Sequence, residues 1–294
     1  MNHMLFLGLG YSAGYIATDL AANGWRISGT ARTAAGAEAI TRRGWHGIVF
    51  DGTGRSDEVA RTFHAATHVL LSIPPDANGD AAIVHHAADL SAARQLGWIG
   101  YFSTVGVYGD EGGGWVDESA RCNPTSARGK RRLQAEQAWQ QLGAARGANV
   151  FILRLPGIYG PGRSAIDAVQ GGTARRIIKP GQVFNRIHVA DIARAVQAAI
   201  AAPDRAGVYN VTDDLPSPPQ DVVTFAAGLL GVEPPPEVDF ASAALSPMAR
   251  SFYCESKRVS NRRMKTELGV ILAYPTYREG LAAILARSDP LPSS

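Results

Sequence analysis

One short segment constrains this chain more than any other. Leu5–Gly10 is an apolar run that ends in Gly8-Leu9-Gly10-Tyr11-Ser12-Ala13. A helical pattern follows (Ile16, Leu20, Ala21), then a turn at Asn23-Gly24, then a second short run, Trp25–Ala31, closed by Arg32. The order is strand, glycine turn, helix, strand, and the turn reads G-x-G-x-x-A. Each small residue has a physical task. Gly8 allows the tight turn, Gly10 lets the backbone approach a pyrophosphate, and Ala13 lets the helix pack closely on the sheet. The helix start offers free N–H groups and a positive dipole end to phosphates. The motif follows a strand and opens a helix within a βαβ-sized unit, the context it needs to signify dinucleotide binding. Gly8, Gly10, Tyr11, Ser12 and Ala13 are therefore the expected cofactor-binding residues of this turn.

The end of the second strand bears on which dinucleotide. NAD sites place an Asp or Glu there for the ribose hydroxyls, whereas NADP sites offer an Arg to the 2′-phosphate. Ala31-Arg32 carries no carboxylate, and Arg pairs bidentately with phosphate. NADP is the expected cofactor, with NAD as the alternative.

The remainder reads as an ordinary globular protein. At 294 residues, 46% hydrophobic and 19% charged, the chain is long enough for one large or two modest domains. A net charge of +3, with arginines scattered rather than clustered, gives no nucleic-acid signal. No apolar stretch reaches the ~18 residues of a membrane span. Met1–Leu9 lacks the basic start of a signal peptide and serves better as a first strand. Cys122 and Cys254 have no metal spacing, and a cytoplasmic location would keep both reduced. His85-His86 point about 100° apart on a helix, a poor pair of metal ligands; no metal is expected.

Strands and helices alternate through the first two-thirds. Gly47–Phe50 ends at Asp51, Val69–Ile73 ends at Pro74-Pro75, Ala81–Leu96 is helical, and Trp98–Ser103 is the next strand. A helix spans about 126–146 and a sixth strand Val150–Leu155. This alternation predicts an α/β fold, a doubly wound parallel sheet with helices on both faces. Gly- and Pro-rich loops then mark a smaller part, with helices at 189–202 and 220–230, and Pro290–Ser294 reads as a frayed end.

Four further stretches resemble one family. Tyr101-Phe102-Ser103-Thr104-Val105-Gly106-Val107-Tyr108-Gly109 is similar to its active-site strand and loop. Arg154-Leu155-Pro156-Gly157-Ile158-Tyr159-Gly160-Pro161-Gly162 is similar to its Arg-x-x-x-(Ile/Val)-Tyr-Gly-Pro signature. Asn185–Ala193 resembles its His-Val-x-Asp helix start, and Val208-Tyr209-Asn210-Val211 its late strand. In this order they resemble the extended short-chain dehydrogenases, the NAD-dependent epimerase/dehydratase family, from Met4 to about Leu285. The resemblance implies a Rossmann-type core over 1–160 that binds NAD(P). It implies a smaller substrate-binding part over 161–294, with about 183–212 returning to the core. It further implies a small-molecule substrate, usually a nucleotide sugar, a homodimer through the helices at about 85–97 and 127–146, and cofactor contacts from Asp51 and Pro156.

The family's chemistry uses a Ser/Thr and a Tyr-x-x-x-Lys pair. Thr104 matches the first. The helix reads Arg128-Gly129-Lys130-Arg131-Arg132-Leu133-Gln134-Ala135-Glu136, and anchoring on Gly129 and Glu136 places Arg128 at the Tyr and Arg132 at the Lys. A shifted register, Ser126-x-x-x-Lys130, spoils both anchors. Arg keeps its proton at neutral pH, so Arg128 is no general base. Arg132 suits a ribose or phosphate, and Arg128 an anionic substrate group or oxyanion. Tyr108, Tyr159, His188 and Asp191 are read as structural. Phe184 stands near the place of the family's phosphate-binding Arg, while Arg163, Arg186, Arg250 and Lys257 are the cations left for an anionic substrate. Two functions follow: an epimerase/dehydratase-like oxidoreductase with non-standard acid–base residues, catalytic residues Thr104, Arg128 and Arg132, or a catalytically silent NADP-binding sensor or scaffold.

Overall fold

The computed structural model describes residues 1–288; the expected frayed end at Pro290–Ser294 lies outside them. The first half runs β1 (His3–Leu7), α1 (Tyr11–Ala22), β2 (Arg26–Ala31), α2 (Ala34–Thr41), β3 (His46–Val49), α3 (Asp57–Ala65), β4 (His68–Leu71), α4 (Ala81–Ala92), β5 (Trp98–Thr104), β6 (Trp115–Val116), α5 (Ala127–Arg146) and β7 (Asn149–Leu155). The second runs β8 (Gly157–Tyr159), α6 (Ala165–Gln170), β9 (Arg176–Ile178), β10 (Arg186–His188), α7 (Val189–Ala201), β11 (Gly207–Asn210), α8 (Pro219–Leu230), β12 (Glu237–Asp239), α9 (Pro247–Phe252), β13 (Arg258–Val259), α10 (Arg262–Glu267) and α11 (Tyr277–Ser288).

Seven strands form one parallel sheet in the order β11-β7-β5-β4-β1-β2-β3. Parallel strands need crossovers, which place helices on both faces and bury both sides of each strand. β1 shows the result: every residue from His3 to Leu7 is buried. Met4 and Phe6 point into one core with Ile16 and Leu20 of α1 and Ile192 and Val196 of α7. Leu5 and Leu7 point into the other, with Val59 and Phe63 of α3, Leu90 of α4 and Trp139 of α5. α6, α8 and α11 share a separate apolar cluster built on Ile166, Val222, Ala226 and Leu281.

Some boundaries differ from the sequence reading. β1 ends at Leu7 rather than running to Gly10, because Gly8 turns with φ of 90°. The helix from Ala81 ends at Ala92 rather than Leu96. His86 within it is buried against Phe50 and Phe63 and bonds Asp89 at 2.8 Å, so it packs rather than faces solvent with His85.

The strand order reverses between β1 and β4. The crevice beyond their carboxyl ends is where doubly wound sheets bind ligands. Gly8 follows one strand and Ser72 the other, and the Ser72 hydroxyl donates to the Gly8 carbonyl across the gap.

Candidate functional site

The glycine turn is clamped from both neighbours. Gly8 N–H donates to Thr30 Oγ1 at 2.8 Å and Leu9 N–H to the Thr30 carbonyl at 2.9 Å. A Cβ on Gly8 would sit 2.8 Å from Ser72 Oγ in a left-handed backbone, so glycine is required twice over. Sequence reasoning misses Thr30 and Ser72. A hydroxyl at the end of each flanking strand is the only signal that could have found them.

Gly10 behaves differently. A Cβ there would meet nothing within 4 Å, so the backbone faces an open cradle. Gly10 is the N-cap of α1, and no side chain caps the helix. Four other helices beside the sheet, α2, α3, α4 and α5, are capped by Thr33, Ser56, Asp80 and Ser126. The donors of the first turn of α1 thus open onto the crevice, an arrangement that suits a phosphate. The residues fit a pyrophosphate approached by backbone. Ser12 is half-buried in that turn. Ala13, 2% exposed, packs α1 onto the sheet. Tyr11 is half-buried, and its hydroxyl donates to the Pro161 carbonyl at 3.0 Å.

Arg32 lies just past β2, exposed and without a hydrogen bond or ion pair among the described residues. Asp51, exposed past β3, accepts from Thr53 N–H at 2.9 Å and Thr53 Oγ1 at 2.8 Å, which holds its carboxyl below the ordinary range. Pro156 is half-buried between β7 and β8.

Thr104 ends β5, and its hydroxyl oxygen accepts from Gly106 N–H at 3.1 Å, starting a 3-10 turn over Val105–Val107. α5 presses on that turn because residue 129 is glycine. A Cβ there would lie 3.0 Å from the Gly106 carbonyl oxygen and 2.8 Å from Pro124 Cβ. This contact sets the first turns of α5, with Arg128 and Arg132, beside the turn that follows Thr104. Arg132 Nη1 donates to the Phe102 carbonyl, and its guanidinium lies 5.7 Å from the Tyr101 ring centre. Arg128 is exposed and lies over Phe252. In the alternative register, Ser126 is committed as the α5 cap and Lys130 is exposed.

Behind these residues runs a buried polar chain. Arg154 pairs with Glu136 through two parallel bonds, Nε–Oε1 at 3.1 Å and Nη2–Oε2 at 2.7 Å. Ser103 donates to the same Glu136. Arg154 Nη1 donates to Tyr108 Oη at 2.9 Å, and Tyr108 donates to Asn210 Oδ1 at 2.7 Å. Burial pushes the Tyr108 hydroxyl up to about 12. The other alternative proton carriers are also tied into structure. Tyr159 donates to the Thr276 carbonyl at 3.2 Å. His188 Nδ1 accepts from Ala190 N–H at 3.2 Å as the cap of α7. Asp191, fully buried, accepts from Ala273 and Tyr274 N–H at 2.7 and 3.0 Å; burial raises its carboxyl.

The four spare cations separate clearly. Arg250 donates to the Ala243 carbonyl and covers Phe240. Lys257 pairs with Glu255 at 2.6 Å. Arg163 and Arg186 line one cleft together. Among the described residues no helix is long and apolar enough to cross a membrane, and no group of three or more His, Cys, Asp or Glu side chains is placed to hold a metal ion.

Comparison with known proteins gives relationships of both fold and sequence. The family model described as NAD dependent epimerase/dehydratase matches residues 8–212. Protein YeeZ of Escherichia coli K12 is 28% identical over 287 residues, covering 94% of this chain and 97% of that protein. The structure of a functionally unknown conserved protein from Silicibacter pomeroyi DSS is 47% identical, covers 99% of this chain and 100% of that one, and superposes with a TM-score of 0.89. UDP-glucose 4-epimerase of Thermus thermophilus, solved as a complex with NAD, shares the fold at a TM-score of 0.74 and 20% identity, over 97% of this chain and 98% of that one.

Proposed function

The chain belongs to the NAD-dependent epimerase/dehydratase family, and from that premise we propose that it is an oxidoreductase that binds NADP at the Gly8–Ala13 turn and acts on a small polar or nucleotide-sugar-like substrate. The observation that carries this reading is the uncapped start of α1 beside the open cradle at Gly10. When bound, the dinucleotide would supply or accept a hydride. The first turn of α1 would hold the pyrophosphate, and Arg32 the 2′-phosphate. Arg132, one turn into α5, would hold the nicotinamide ribose. Thr104 would donate its hydroxyl to the reacting oxygen of the substrate, and Arg128 would steady negative charge there without taking a proton. The Thermus thermophilus epimerase named above is a nucleotide-sugar enzyme bound to NAD, which supports the substrate class and a dinucleotide.

A second reading, a cofactor-binding sensor without turnover, is favoured by a specific fact. Tyr108, Tyr159, His188 and Asp191 are each committed to a structural hydrogen bond. Fluorescence titration with NADPH and NADH tests the shared premise, using Gly10→Val as the control. A side chain at position 10 starts in open space, with nothing within 4 Å of its Cβ, so the variant should stay folded, as circular dichroism checks, and lose NADPH. Normal NADPH binding by Gly10→Val would place the phosphates elsewhere. A screen of nucleotide sugars and small carbonyl compounds then separates the two: turnover supports the enzyme, and firm NADPH binding without turnover supports the sensor.

A further inference from the structure

An open cleft of about 490 Å³ lies where β8, α6, β10, α8 and α11 meet. Its wall combines Arg163 and Arg186 with the rings of Tyr159 and Tyr277 and the apolar side chains of Val222 and Leu281; the Asp167 carboxylate also lines it, and accepts from Ser164 N–H at 2.7 Å and Ser164 Oγ at 2.5 Å in the cap of α6. Arg186 differs from the buried cations Arg154 and Lys257. Arg186 uses only Nη1, which donates to the Phe184 carbonyl at 3.0 Å, the Ser217 carbonyl at 3.1 Å and Ser217 Oγ at 2.9 Å. Nε and Nη2 have no hydrogen-bond partner among the described residues. That pair of donors forms one edge of the guanidinium, the same edge with which Arg154 grips Glu136. Arg154 and Lys257 are buried and paired with carboxylates; Arg186 has no ion pair among the described residues.

Asp213 is the carboxylate that acts most strongly on Arg186, ahead of Asp221, and it is a weak counter-charge. Asp213 is buried, its Oδ2 has no partner, and burial pushes its carboxyl up to about 8. It is therefore mostly uncharged at neutral pH, and Arg186 keeps its charge in a site that desolvates it. A half-buried guanidinium with its bidentate edge free suits an oxyanion. Arg163 is exposed at the mouth, its guanidinium 5.8 Å from the Tyr11 ring centre and without a hydrogen bond among the described residues.

We propose that this cleft is an oxyanion site, in which the Nε/Nη2 edge of Arg186 binds a carboxylate or phosphate whose apolar or aromatic body lies against Tyr159, Tyr277, Val222 and Leu281, with Arg163 at the mouth. Arg163 at the mouth lies over the ring of Tyr11, the first residue of α1, so the anion would belong to the substrate that meets the dinucleotide. That assignment rests on the proposed function; the anion site itself does not.

Calorimetry on the full chain with benzoate, phenyl phosphate and neutral benzyl alcohol tests it. At least one anion should bind ten or more times more tightly than the alcohol, and the better anion tells carboxylate from phosphate. Arg163→Ala, which removes no hydrogen bond, should weaken that anion severalfold. Arg186→Lys keeps the charge and loses the fork, and should weaken it tenfold or more. Circular dichroism checks folding, and Arg163→Ala carries the test if Arg186→Lys unfolds. Equal binding of anions and alcohol, or native affinity in the folded variants, overturns the proposal. NADPH titration of the same proteins separates the two readings. Intact NADPH binding without anion binding condemns the cleft alone, and the reverse condemns the dinucleotide reading alone.

Discussion

The guanidinium of Arg128 stands 4.7 Å from the centre of the Phe252 ring. This contact joins the first turn of α5, in the sheet half, to the last residue of α9, in the second half of the chain. Both side chains are exposed, so the cation–π attraction is worth about 0.5–1 kcal/mol. Arg128→Ala and Phe252→Ala should each cost no more than that. A double-mutant cycle by urea denaturation should return a coupling of the same size, and a coupling of zero would show that the two groups merely lie near each other.

Arg32 is the basis for cofactor choice. It is exposed beyond β2 with no partner to release among the described residues, so Arg32→Ala should leave stability unchanged. NADPH should bind the native protein more tightly than NADH, and the variant should lose most of that difference. Equal native affinities for the two dinucleotides would remove the argument.

Arg132→Ala should weaken NADPH by about 1.5–3 kcal/mol, the worth of a hydrogen bond to a charged group. The residue also donates to the Phe102 carbonyl on β5, so the thermal midpoint should be recorded beside the affinity. A loss of stability with unchanged NADPH affinity would make Arg132 a structural residue only.

Glu136 sits at the centre of the buried chain, holding Arg154 and Ser103. Glu136→Gln leaves Arg154 without its counter-charge in a dry site. Breaking such a pair costs about 3–5 kcal/mol, measurable as a fall in the urea midpoint. A change below about 1 kcal/mol, the worth of an exposed pair, would mean that water reaches this one.

His68 predicts an acid limb. It lies between Trp25 and Trp98, with ring centres at 4.7 and 5.8 Å, and burial lowers its imidazole to about 4 from the ordinary 6.5. The unfolded chain therefore binds a proton that the folded chain refuses between those values. Stability is full above about pH 6.5 and falls as pH drops toward 4. Burial depresses His3 too, in the same direction. His68→Phe should lose less stability than the native protein as pH is lowered through this window, by thermal melts. Parallel losses in both would assign the acid limb to other groups.

The glycine turn is legible in the sequence because its spacing answers to local geometry: a left-handed residue, an open approach and a small packing residue within six positions. The alternation of strands and helices is legible for the same reason. α3 escapes the sequence reading, though Ser56, Asp57 and Glu58 before Val59 and Phe63 are an N-terminal signature. Thr30 and Ser72 are invisible because their role exists only once β2 and β4 flank β1. Arg186 cannot be told from Arg250 or Lys257 by sequence, since all three are cations near loops. What distinguishes them is which carbonyl, carboxylate or ring the fold brings to each, and that depends on residues dozens of positions away.

The strand order has a consequence for how the chain is made. β7 pairs on one side with β5, already synthesised, and on the other with β11, which begins only at Gly207. During synthesis β7 must wait as an open edge while β8 through α7 emerge, and α1 waits likewise for α7, which shares its core. An open apolar edge is where nascent chains mispair. A ribosome pause shortly before residue 207 would therefore expose this protein to aggregation, and slow codons between β7 and β11 would lower soluble yield without changing a single amino acid.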